Sequence, residues 1–281
     1  MTRVPSGARS RATLTVVPVE PRPAASVLLI RPGRAAAIEV FLIRRARDMR
    51  FLGGYYAFPG GKVDLADRSH EALARARGLS PEAAARAIGD PADEVPALAY
   101  WLASVREVFE ETGVLLARDA EGRPVAAGAP DVAPRLEGHR RALVHGERSF
   151  TAVLAAEEWF ADLAPLAYLS HFVTPPASPI RFSARFFLCP VPAGQGPRLI
   201  AEEASEGFWV EPAEAHRRFR VGDWPMAEPA EYGTQYLAQF ESYAAVWRHH
   251  ADGRPKFHGI IDRLDAARYY LFDWSTVVRP A

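Results

Sequence analysis

Glu107, Glu110 and Glu111 fall within one helical turn, with Arg106 beside them, in the stretch LAYWLASVREVFEETGV from Leu98 to Val114. Carboxylates packed this closely repel one another, so something cationic should offset the cost. Oxygen donors of this kind suit Mg²⁺ or Mn²⁺ rather than Zn²⁺, which prefers His and Cys. The plain alternative is a solvated acidic helix face. Against it, acidic residues near a helix C-terminus oppose the macrodipole and are poorly placed for stability alone.

The element that must carry these groups reads as an α-helix at about 100° per residue. Leu98, Trp101, Leu102, Val105, Val108 and Phe109 fall on one side, which is apolar enough to bury. The carboxylates fall on the other, above Ala99, Tyr100, Ala103 and Ser104. Gly113 stops the helix, as glycine commonly does just past the last helical residue. Upstream, YYAFPGGKVDLAD from Tyr55 to Asp67 reads as a short aromatic strand ending in a Pro-Gly-Gly turn. Gly60 and Gly61 would let backbone approach a ligand closely, and Lys62, Asp64 and Asp67 follow. The expectation is that this turn and the glutamates fold back on each other, with the Gly60 carbonyl as an added metal ligand.

Arg106, Glu107, Val108, Glu110, Glu111, Gly113 and Val114 reproduce the second half of a motif, R-E-U-x-E-E-x-G-U with U a bulky aliphatic residue. The chain thereby resembles the Nudix hydrolases. Their motif begins with a glycine and, after five residues, a glutamate; here Gly61 is followed by Asp67, and the gap to Arg106 is far longer than usual. A box split this way, together with Phe172-Val-Thr-Pro and Arg181-Phe-Ser-Ala-Arg-Phe-Phe-Leu, resembles the branch similar to peroxisomal and mitochondrial coenzyme A diphosphatases. The resemblance implies an α/β fold, a Nudix-type α/β/α sandwich with a mixed sheet and helical insertions. It implies Mg²⁺- or Mn²⁺-dependent hydrolysis of a diphosphate in a nucleoside diphosphate derivative, with coenzyme A or acyl-CoA favoured. An ADP-ribose or nucleotide-sugar diphosphatase is the alternative enzyme, and a ligand-sensing module without turnover the alternative of another class. By the same analogy Glu107, Glu110 and Glu111 hold the metal, Arg106 orients the glutamates with Asp67, and Glu107 or Glu203 is the general base. Gly61, Asp67 and Gly113 support the box.

The 281 residues are 49% hydrophobic, enough for a substantial core. Zero net charge gives no bulk attraction to nucleic acid or to an anionic membrane. The single cysteine, Cys189, leaves no internal disulfide and no Cys-based zinc site. It sits in an apolar run and reads as a packed core thiol. No apolar run is long enough to span a bilayer, for which about 18 or more residues are needed, and the cytoplasm is the default compartment. Residues 1–24 read as a tail or edge strand, and 25–281 as one domain.

Strands are expected at Ser26–Ile30 and Ile38–Arg44, with helical insertions over 69–97, inside the box, and about 134–160. The first insertion reads as a flap over the substrate or a subunit contact. Arg44, Arg45, Arg47 and Arg50 follow one another closely and form either a solubilising surface loop or a phosphate-facing patch, and Lys62 is a further candidate for substrate binding. Arg181 and Arg185, four apart in a strand, share a face; they either pair carboxylates at the core edge or hold a substrate phosphate. The aromatic-rich segment Glu231–His249 reads as one helix, packed in the core or at a homodimer contact.

Overall fold

Fully buried strands need cover on both faces, and the central strand here is of that kind. In the computed structural model, which describes residues 19–49, 51–89, 95–176, 178–199 and 204–251, the chain opens with β1 (Arg22–Pro32) and β2 (Ile38–Arg45). Short strands β3 (Tyr56–Ala57) and β4 (Gly60–Lys62) follow. Then come α1 (His70–Ala74), β5 (Ala76–Arg77), α2 (Pro81–Ile88) and the acidic helix α3 (Ala97–Thr112). β6 (Ala117–Arg118), α4 (Ala133–Val144), α5 (Phe150–Ala156) and β7 (Phe160–Asp162) lead to β8 (Ala167–Val173), β9 (Phe182–Pro190) and β10 (Ala204–Val210). The described chain closes with α6 (Pro212–Arg220), α7 (Glu228–Leu237) and α8 (Tyr243–His250).

The main sheet runs in the order β10-β2-β1-β9-β8, with β3 on β2 and β4 on β1. β1 and β9 are parallel, whereas β1–β2, β1–β4, β8–β9 and β2–β10 are antiparallel, so the sheet is mixed. Alternate side chains separate two cores. Ala25, Val27, Leu29, Phe187 and Cys189 meet α3 through Trp101, Leu102, Val105 and Val108. Leu28, Ile30, Phe186 and Leu188 meet α6, α7 and α8 through Ala215, Tyr236, Leu237 and Val246. This is the expected sandwich of helices on both faces of a mixed sheet. Cys189 is fully buried in the first core, and burial pushes its thiol far up.

Three expectations are corrected. First, the small-residue side of α3, read as the face opposite the buried one, is itself buried. Ala99, Tyr100, Ala103 and Ser104 are completely buried, as are Arg106 and Glu107 to within a few per cent. The helix is covered on a second side by the segments after Ser69 and after Gly113, which contribute Ala84, Ile88, Leu115, Phe150 and Leu154 to the same core. The phenyl rings of Phe109 and Phe150 lie 6.0 Å apart. Second, Gly60-Gly61 is not a turn: it is strand β4, in register with Ala25 and Ser26 of β1. Third, the aromatic C-terminal segment is two helices, α7 and α8, because Pro229 opens the first and Ser242 caps the second by accepting from the Ala245 N–H.

Ser69 and Ser80 cap α1 and α2 as their types suggest, accepting from Ala72 and Ala83 N–H groups. Between those helices β5 pairs with β7, and β7 with β6, in a second, three-stranded sheet. Periodicity gives no warning of strands only two residues long. Residues 1–18, Arg50, 200–203 and the tail from 252 onward lie outside the described residues, and with them the expected roles of Arg50 and Glu203.

Candidate functional site

Arg106 organises the site. Its side chain is buried, 4% exposed, and each of its five N–H donors has an acceptor. Nε and Nη2 fork onto Asp67, at 3.0 Å to Oδ1 and 2.9 Å to Oδ2. Nη1 donates to Glu107 Oε1 and to Glu110 Oε2, both at 2.9 Å. Nη2 also donates to the Lys62 carbonyl at 2.7 Å, tying α3 to β4. Asp67, itself buried, reaches the guanidinium from a single 3₁₀ turn over Ala66–Arg68, where it also accepts from the Asp64 N–H at 2.9 Å. That turn supplies the approach which the shorter side chain alone would not.

The glycines are required by contact. A Cβ on Gly61 would sit 2.5 Å from Glu107 Oε1, and one on Gly60 would sit 2.3 Å from the Ala25 carbonyl oxygen. The Gly60 N–H donates to Glu111 Oε2 at 2.8 Å. The Gly-Gly segment and the glutamate trio are therefore in direct contact, although 51 positions separate Gly60 from Glu111. Gly113, in the left-handed conformation at φ 71°, ends α3.

One guanidinium faces more negative charge than it can balance. Burial pushes Glu107 well above the usual carboxylate range; Arg106 pulls it back, and Glu110 and Glu111 push it further up. Burial likewise raises Glu110, against the pull of Arg106. Among the described residues no three His, Cys, Asp or Glu side chains form a ready metal-binding group, because Glu107 and Glu110 are both turned onto Arg106. In chemistry the donors fit a hard divalent cation: all are oxygens, and the cluster is short of positive charge.

A cavity of about 500 Å³ opens over this cluster, within the range of roughly 300–1,000 Å³ typical of small-molecule sites. Gly60, Gly61, Lys62, Asp64, Arg106, Glu107, Glu110 and Glu111 form its polar end. The opposite walls are apolar. Met49, Phe51 and Leu52 come from the loop after β2, Phe172 and Pro175 from the end of β8, Phe182 and Phe186 from β9, and Pro229 from α7. The Phe51 and Phe182 rings lie 5.6 Å apart. Of these, Phe172, Pro175 and the β9 block stood out in the sequence; the rest come together from segments with no local signal.

The basic residues divide. Arg45 and Lys62 line the cavity, whereas Arg44, Arg181 and Arg185 do not. Arg44 bonds Glu206 at 3.2 Å. Arg181 donates to the Thr174 and Val19 carbonyls. Arg185 is buried beside the Tyr168 hydroxyl, 3.3 Å away, and 5.6 Å from the Tyr100 ring. The shared-face expectation fails on direction: Phe182, Ala184 and Phe186 face the cavity, and in a strand the side chain of Arg185 points the other way. Arg185→Met should therefore leave KM for any substrate of this cavity within about twofold, a conservative apolar swap for a stem that packs in the core; steady-state kinetics check it, and a tenfold rise in KM would contradict it. Residues 69–89 and 95–97 also contribute nothing to the cavity walls. These described parts of the insertion pack against α3 rather than over the cavity.

No helix among the described residues is long and apolar enough to cross a membrane. The family model described as NUDT19 Nudix domain matches residues 11–237. The human acyl-coenzyme A diphosphatase NUDT19 is 28% identical over 267 residues, covering 85% of this chain and 70% of that protein. The putative nudix hydrolase 7 of Caenorhabditis elegans is 25% identical, and the match spans 79% of this chain and 62% of that one. The crystal structure of a NUDIX hydrolase from Alicyclobacillus acidocaldarius superposes with a TM-score of 0.68 at 33% identity, over 80% of this chain and 94% of that one. A family model that matches most of the chain, and a solved relative of the same architecture, settle its membership: the chain is a Nudix hydrolase.

Proposed function

We propose that this enzyme hydrolyses the diphosphate of a nucleoside diphosphate derivative bearing an apolar group, with coenzyme A or an acyl-CoA the favoured substrate. The observation that carries the reading is the join of two unlike chambers in one cavity, a carboxylate cluster at one end and an aromatic, apolar chamber at the other. The first suits a diphosphate with its counter-ions, the second an uncharged chain. Human and chicken relatives named acyl-coenzyme A diphosphatases, at 28% and 27% identity, support the same choice.

In this reading Glu107, Glu110 and Glu111 would hold Mg²⁺ or Mn²⁺. The ion's chemistry would be to lower the pKa of a bound water and to neutralise charge on the diphosphate. Asp67 fixes Arg106, and Arg106 fixes Glu107 and Glu110, so the carboxylates are positioned before substrate arrives. The Gly60 N–H does the same for Glu111. Arg45 and Lys62 screen phosphate charge from the cavity wall. Glu107 or Glu203 accepts the proton of the attacking water.

The test is a panel of CoA, short- and long-chain acyl-CoA, ADP-ribose and nucleotide sugars, each with Mg²⁺ or Mn²⁺ and products identified by mass. CoA compounds should give two phosphomonoesters whose masses sum to substrate plus one water. KM should fall as the acyl chain lengthens. Cleavage of ADP-ribose or a nucleotide sugar but no CoA compound would overturn the substrate while leaving the hydrolysis; binding without product under every divalent ion would point to a sensing module.

A further inference from the structure

We propose that a second, smaller cavity, between the C-terminal end of α3, the helix α4 and the 194–198 loop, binds a small oxyanion such as phosphate or a compact phosphomonoester. Its volume is about 180 Å³. That is several times the roughly 30 Å³ share of one water in the liquid, yet below the roughly 300 Å³ at which pockets begin to take drug-sized ligands. The site is separate from the catalytic cavity: the two share no lining residue.

The argument starts from Arg140. It is 2% exposed, and its Nη2 has no hydrogen-bond partner among the described residues. Its Nε donates to the Glu110 carbonyl at 2.8 Å, so the guanidinium is held at the end of α3. A Cβ on Gly113 would come within 3.1 Å of Nη1, so a glycine there leaves the head group its place. A buried donor without a partner is costly, and nearly all such groups in folded proteins find one.

Arg198 lines the same cavity. Its backbone N–H is fastened to the Thr112 carbonyl at 2.7 Å, and no carboxylate among the described residues pairs with its side chain. Gln195 anchors the loop from both ends of its amide, donating to the Leu115 carbonyl at 2.9 Å and accepting from the Leu115 N–H at 2.8 Å. Glu137 is the one acid in the lining, and it is shared with Arg141 at 3.4 Å. Arg140, buried, and Arg198, exposed, thus line one small polar space whose single carboxylate, Glu137, is already partly engaged. An oxyanion in the cavity would pair with the two guanidiniums and separate their like charges, as planar guanidinium forks do for phosphate.

The experiment titrates the full, metal-free chain with inorganic phosphate at constant ionic strength, read by calorimetry and by thermal unfolding, with chloride as the control. One saturable site that raises the unfolding temperature is expected. Arg198→Gln should weaken it at least tenfold, and Arg198→Lys should keep most of it. Lys62→Ala, in the catalytic cavity, should leave it unchanged. Arg140→Gln also breaks the bond to the Glu110 carbonyl and can fail to fold, so the Arg198 pair carries the test. Two results would overturn the proposal: no saturable binding, which means water alone fills the cavity, or binding that survives Arg198→Gln and is lost in Lys62→Ala, which means phosphate sits in the catalytic cavity.

Discussion

Glu110→Gln and Glu111→Gln are each expected to lose about 10²–10³-fold in kcat with Mg²⁺, the scale seen when one preorganised electrostatic group is removed from a site. Both variants should stay folded, and the structure shows why. A glutamine oxygen can still accept from Arg106 Nη1 in place of Glu110, or from the Gly60 N–H in place of Glu111. The hydrogen bonds survive while the charge goes. Glu107→Gln extends the test. Its amide oxygen can likewise accept from Arg106 Nη1, so the variant should stay folded in metal-free buffer and should still reduce turnover as much as the other two. Activity titrated against Mg²⁺, alongside denaturant unfolding in chelator, separates the effects. Turnover within threefold of the unaltered enzyme in Glu110→Gln or Glu111→Gln would remove that residue from the metal site. Loss of turnover with equal loss of stability would make it structural.

The helix and its register were legible in the sequence because both are local: a 3.6-residue period, a terminal glycine and the Arg-Glu-x-x-Glu-Glu spacing. What covers the helix was not. A helical wheel sorts Ala99, Ala103 and Ser104 onto the carboxylate side, yet such small residues serve equally well under water or under a second layer of chain. Gly60-Gly61 shows the same limit. Two glycines after proline read as a turn, but opposite small Ala25 and Ser26 they lie flat as a strand, since bare backbone can approach there. Arg181 lies just before β9 and only Arg185 is in it. Parity alone does not say which face meets the cavity, and the phenylalanines between and after them take it. The apolar chamber was invisible for a different reason: its walls come from residues around 50, 172–186 and 227–230, and only the sheet order brings those together. Asp67 is the opposite case. As a residue type it departs from the family's glutamate, and only the 3₁₀ turn beneath it makes the departure workable.

Arg106→Met should be the most destabilising single change in the site, at about 3–5 kcal/mol, the cost of breaking a buried ion pair by removing one partner. The loss is large because one side chain serves three carboxylates and a carbonyl. Asp67, 4% exposed, and Glu107, 8% exposed, would be left without a countercharge and with little access to water. Against a typical total stability of about 5–15 kcal/mol, that is a large share of what holds the chain folded. Asp67→Asn should cost less, about 1–3 kcal/mol, because Arg106 keeps Glu107, Glu110 and the Lys62 carbonyl. The double variant should then cost less than the sum of the two, since Asp67 is a burden only while its partner is missing and its charge remains. Urea unfolding of the four proteins in chelator measures the cycle. If Arg106→Met costs under 1 kcal/mol, or the two changes simply add, the guanidinium is not what holds the carboxylates in place. Mg²⁺ distinguishes the same roles in the other direction. If the trio holds a cation, adding it should return part of the stability lost in Arg106→Met, because it restores positive charge to the same oxygens, and it should return none in Arg106→Met carrying Glu107→Gln, Glu110→Gln and Glu111→Gln.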